Sequence, residues 1–135
     1  MAGTLIVSLD FELFWGMLDC STQEAYQDNV LGGRKAIPQM LELFQKYGIH
    51  ATWATVGFLF AENYEELKAY FPKEASCPSY TDAALDPYAW FEKIGKNEEE
   101  APCFYGPSLI RQVAKYPGQE IGSHTFCHYY CREKG

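Results

Sequence analysis

Three short strand-like runs, separated by stretches of helical periodicity, constrain this chain more than any other feature. Residues 4 to 9 (Thr4, Leu5, Ile6, Val7, Ser8, Leu9) read as a short buried strand ending in acids. If that strand continues to Glu12, alternation puts Ile6, Ser8, Asp10 and Glu12 on one face and Leu5, Val7, Leu9 and Phe11 on the other. A long connection is expected from Leu13 to about Gly33, with Asp28, Asn29, Gly32 and Gly33 as turn formers. Ile37, Met40, Leu41 and Phe44 then fall on one stripe of an amphipathic helix, with Pro38 in its first turn and Gly48 as its stop. The run from His50 to Val56 is rich in β-branched and aromatic residues and reads as a second strand. Asn63 with Glu66 looks like an N-cap and its partner, opening a helix that carries Tyr64, Leu67 and Phe71 and closes at Pro72. Residues 73 to 105 give mixed signals and read as an excursion from the core. They include a short helix around Tyr88 to Ile94 and an acidic run, Glu98 to Glu100, taken as a solvated face. Gly106–Pro107 starts a last helix that buries Leu109, Ile110 and Val113 and stops at Pro117–Gly118. Glu120 to His124 form the third strand.

Strand, helix, strand, helix, strand is the pattern of parallel βαβ units, an α/β fold. In such sheets ligands and chemistry collect at the carboxyl ends of the strands. Asp10 and Glu12 end the first strand and His124 ends the third, so the ionisable residues of interest fall where that rule places a site.

Composition narrows the function classes. The 135 residues amount to one domain's length, and 47% apolar with 21% charged residues is ordinary for a globular protein. Eighteen acidic against 11 basic residues give a formal charge of −7, which argues against nucleic acid or an anionic membrane surface as partner. No apolar stretch reaches the roughly 18 residues of a membrane span. The opening MAGTLIVSLDFE lacks a basic segment ahead of an apolar one, so a cytoplasmic location is expected. Five cysteines, Cys20, Cys77, Cys103, Cys127 and Cys131, are an odd number without a secretory signal, and reduced thiols are the expected state.

The chemistry-bearing residues are SLDFE near the start and SHTFCH near the end. On a strand, Asp10 and Glu12 would leave one face about 6.6 Å apart along the chain, and two such charges call for a cation or a proton between them. His124 and His128 are four apart, a spacing from which two imidazoles converge on one ion. Two histidines and a carboxylate with open positions for water form a catalytic metal set.

Ser8-Leu9-Asp10-Phe11-Glu12, Ala51-Thr52-Trp53-Ala54-Thr55-Val56-Gly57 and Glu120 through His128 resemble, in order and spacing, motifs of the polysaccharide deacetylase family, or NodB homology domain. The resemblance implies the N-terminal part of an irregular, TIM-like (β/α) barrel. It also implies Asp10 as general base and His124 and His128 as ligands of a divalent metal, Zn first. In the commonest form of the family the third ligand is an Asp directly after the base. Here Phe11 holds that position, and the D-x-E variant transfers the role to Glu12. The implied reaction is metal-assisted hydrolysis of an acetamide on an N-acetylated carbohydrate, Asp10 taking a proton from the attacking water. The family draws its general acid from a later histidine motif, and an Arg and a further Asp tune its base. None is found in this chain, and His50 reads as a strand-end or packing residue. Trp15, Tyr129 and Tyr130 could stack on a sugar ring or serve as packing residues.

Two other readings use the same residues. His124, Cys127, His128 and Cys131 could form a closed structural Zn site in a non-catalytic module, although adjacent ligands at 127 and 128 point apart. An inactive homologue kept for sugar binding is the other. Three core strands fall short of the roughly eight of a closed barrel. Residues 1–135 are therefore expected to be the N-terminal portion of a longer catalytic domain, lacking activity alone and able to self-associate through open sheet edges.

Overall fold

The computed structural model describes residues 3–73 and 76–132. Its strands are β1 (Ser8–Phe11), β2 (Ala51–Thr55) and β3 (Gln119–Ser123), parallel and in the order β1-β2-β3. The helices are α1 (Gln23–Tyr47), α2 (Tyr64–Ala69) and α3 (Pro107–Val113). The α/β class with parallel strands is as expected. Among the described residues, however, the sheet is open, with β1 and β3 at its edges; three strands cannot close the barrel that the family resemblance implies. No described helix is long and apolar enough to cross a membrane.

β1 starts at Ser8, four residues later than the apolar run suggests. The first residue of β2 is Ala51 and the first ladder pair is Ser8 with Thr52, so the segment before Val7 has no strand beside it, and Leu5 and Ile6 stand exposed. The strand also ends at Phe11. Glu12, at φ −130° and ψ −14°, has left the pleat, so strand alternation no longer relates its side chain to that of Asp10.

The expected connection from Leu13 to Gly33 is mostly helical. Leu13–Met17 forms a 3-10 turn, and α1 begins at Gln23. The Thr22 hydroxyl caps α1 by accepting from the Ala25 N–H at 3.3 Å. The apolar stripe reaches back through Tyr26 and Val30 to meet Ile37, Leu41 and Phe44, so Pro38 sits mid-helix rather than in the first turn. Gly32 and Gly33 face open space; their cost of about 1 kcal/mol each relative to Ala is offset by the cap and the buried stripe. Gly48, at φ 63°, ends the helix as expected, with its N–H directed to the carbonyls of Gln45 and Phe44.

Of the expected excursion over residues 73 to 105, residues 74 and 75 lie outside the described residues, and the rest belong to the core more than their mixed signals suggest. Phe91, Ala101, Cys103, Phe104 and Tyr105 are buried; Phe91 packs on Trp15 and Phe58, and Phe104 on Trp15, with ring centroids 4.9 to 5.2 Å apart. The helix expected near Tyr88 is a 3-10 segment, Pro87–Lys93, capped by Asp86. In the acidic run, Glu98 is not solvated: it pairs with Arg34 of α1 and accepts from Ser108 of α3.

Candidate metal centre

The ladder aligns Phe11, Thr55 and Ser123 as the last residues of the three strands. Glu12 and His124 thus leave the sheet at one level, from strands two places apart, across about 9.6 Å of backbone. Long side chains are needed to meet over that gap. Glu12 Oε2 lies 3.2 Å from His124 Nε2 and 3.2 Å from His128 Nε2. One ligand atom from each residue falls within 4.8 Å of the others, and among the described residues this is the group of His, Cys, Asp or Glu that converges so. The family resemblance implies the same three residues; strand alternation puts Glu12 on the Asp10 face, whereas the structure places it by the turn that follows the strand.

That turn and the histidine loop are held in unusual conformations. Leu13, Thr125 and His128 have φ of 50°, 61° and 55°, the non-glycine residues in the left-handed region among those described, and all three adjoin or belong to the cluster. Such backbone carries a cost of order 1–3 kcal/mol each and persists only where neighbours fix it. The fixing contacts are visible. The Phe14 N–H donates to Cys103 O at 3.0 Å, and the Trp15 indole donates to Phe104 O at 2.9 Å. On the other side, the His124 N–H donates to Thr55 O, and the N–H groups of Gly57 and Phe58 donate to Thr125 O and Phe126 O, all at 2.9 Å. A side chain at Gly57 would run into the Phe126 backbone, which explains the glycine after the second strand. The Thr125 hydroxyl accepts the Tyr129 N–H at 3.0 Å, closing the loop that carries both histidines.

The electrostatics follow from the contacts. The hydrogen bond from His128, helped by both imidazole charges, holds the Glu12 carboxyl below its usual range against the opposing effect of burial. The same bond raises His128 above the ordinary histidine range, again against burial, with smaller contributions from the charges of Asp19 and Asp10. Nδ1 of His128 is buried without a hydrogen-bond partner among the described residues. Its ring is therefore oriented by Glu12, by the left-handed backbone and by the edge of Tyr130, 5.4 Å away, rather than by an acceptor behind it.

Asp10 is exposed on β1 and lies outside the cluster. It lines, with Glu12, a cleft of about 330 Å³ walled by Leu9, Met17, Val30 and Ile37. Trp15 is fully buried, so it is a core anchor and not a platform for a sugar ring. His50 sits before β2, at the far end of the sheet, against Gly118, which is its packing role. The sulfurs of Cys127 and Cys131 do not join the histidines. Cys127 is buried, and burial raises its thiol, which disfavours the thiolate that a metal requires.

A two-nitrogen, one-oxygen donor set converging from one side fits a divalent ion with open coordination positions. A family model described as polysaccharide deacetylase matches residues 25–135. The match covers β2, β3 and the histidine loop but starts after Glu12, so the meeting of Glu12 with the histidines is an observation independent of it. Comparison with curated proteins and with solved structures gave no significant match. Members of the matched family are hydrolases of carbon–nitrogen bonds and typically depend on a divalent metal. This chain belongs to the polysaccharide deacetylase family.

Proposed function

We propose that this chain carries the metal-binding centre of a hydrolase that removes N-acetyl groups from a carbohydrate. The observation that supports the reading is the convergence of Glu12, His124 and His128 at the strand ends. These three residues hold a divalent ion, Zn being the first expectation for such a donor set. When bound, that ion supplies Lewis-acid polarisation of the acetamide carbonyl and a lowered pKa for water. Asp10, on the strand leading to Glu12 and beside the same cleft, takes the proton of the attacking water as general base. The Thr125 hydroxyl and Gly57 keep the two imidazoles at their posts.

Titrating the metal-free protein with Co(II) or Zn(II) tests this. One ion binds per chain, Glu12→Ala, His124→Ala and His128→Ala each lose it, and Asp10→Asn keeps it. N-acetylated glucosamine oligomers then perturb the Co(II) absorption spectrum, and their free-amine counterparts do not. A protein that takes up no ion, or whose Co(II) spectrum ignores both oligomers, contradicts the reading.

A further inference from the structure

Gly16 lies four residues after Glu12, in the 3-10 turn Leu13–Met17, on the side of the turn where the Glu12 carboxylate sits. A Cβ built on Gly16 overlaps that carboxylate, meeting Oε1, Cδ and Oε2 as its three nearest atoms. Backbone freedom does not explain this glycine: Gly48 and Gly118 are the described glycines with positive φ, and Gly16 is not among them. Alanine therefore suits the conformation at position 16, and the conflict is with the tip of one flexible side chain. Glu12 has an easy escape by rotating away, but the escape takes its Oε2 off both imidazoles, which it now meets at 3.2 Å.

We infer that Gly16 is a positioning residue whose missing side chain admits the Glu12 carboxylate to the histidine pair. The inference rests on the metal-centre reading for its functional meaning and on sterics alone for its geometry. Gly16→Ala leaves the fold in place and disarms the centre. Its neighbours make the effect specific: Trp15, fully buried and bonded to Phe104 O, pins the turn, so the turn cannot shift to make room and the carboxylate must.

The experiment is a double-mutant cycle on the full chain, read by Zn(II) affinity and, without metal, by the imidazole ¹⁵N spectra of His124 and His128. Gly16→Ala is expected to weaken Zn(II) binding at least tenfold, and Glu12→Ala/Gly16→Ala to bind no more weakly than Glu12→Ala alone, because the steric effect has no other target. In the metal-free spectra, Gly16→Ala and Glu12→Ala displace the same imidazole signals. Wild-type affinity and spectra in Gly16→Ala overturn the inference while leaving the metal reading intact, as does a further loss in the double variant. Should Gly16→Ala fail to fold, recovery of the fold in the double variant supports the clash, and failure of both variants overturns it. If the wild-type chain binds no Zn(II), the metal reading fails, and the ¹⁵N spectra still decide whether Gly16 sets the Glu12–histidine contact.

Discussion

Glu12 and Glu98 are two carboxylates that each gather nitrogen donors from distant parts of the chain, yet they do different work. Glu98 accepts from Arg34 at 2.5 Å and from the Ser108 N–H and hydroxyl at 3.1 and 2.6 Å. Arg34 also donates to Pro102 O and Tyr105 O. Burial works to raise the Glu98 carboxyl, and Arg34 and Ser108 outweigh it and hold it low. The guanidinium makes three hydrogen bonds, and both side chains are under 20% exposed; the result is a knot tying α1 to α3. Glu12 instead meets the imidazoles of His124 and His128; the Nδ1 of His128 has no hydrogen-bond partner among the described residues, and its backbone is held in the left-handed region. The contrast separates a carboxylate that holds the fold from one that is held by it.

The comparison breaks most readily at Glu12. Glu12→Ala is expected to lower Zn(II) affinity about a thousandfold, or about 4 kcal/mol, while thermal or urea unfolding of the metal-free protein changes little. Arg34→Ala should do the converse. Removing the cation from a mostly buried pair leaves Glu98 uncompensated and costs about 3 kcal/mol in unfolding free energy, with Zn(II) stoichiometry kept. If Arg34→Ala abolishes metal uptake in a protein that still folds, the division of labour is wrong.

Stability against pH sharpens the contrast on a smaller scale. Glu12 is lowered and His128 raised, so in the metal-free protein their pair contributes between the folded Glu12 and folded His128 values. The contribution is lost as pH falls through the former or rises through the latter. The Glu98 contribution disappears only on the acid side. Urea midpoints measured across pH should therefore decline above the ordinary histidine range in the wild type and in Arg34→Ala, and Glu12→Ala should lack that decline. The smallest effect is expected at the cysteines: Cys127→Ser and Cys131→Ser leave one Zn(II) per chain, and loss of the ion in either would favour the closed Cys–His site.

Much of this was legible in the residues. The D-x-E and H-x-x-x-H spacings, and the rule that parallel sheets work at their carboxyl ends, pointed to two histidines and one of two carboxylates, and the family resemblance implied Glu12 rather than Asp10 as the ligand. The extent of α1 was harder to read, because Asp28, Asn29 and two glycines signal a turn locally while the Thr22 cap and the packing of Tyr26 and Val30 prevail. Glu98 read as solvated because no sequence pattern ties it to Arg34, 64 positions away. Gly16 was invisible for a related reason: its meaning lies in a space that only the folded turn defines.

X-ray absorption at the zinc edge of the loaded protein puts the central claim to the most direct test. The account predicts a first shell of nitrogen and oxygen alone, at about 2.0–2.2 Å with imidazole scattering behind it. A zinc–sulfur contribution near 2.3 Å would contradict the account and transfer the ion to the cysteines.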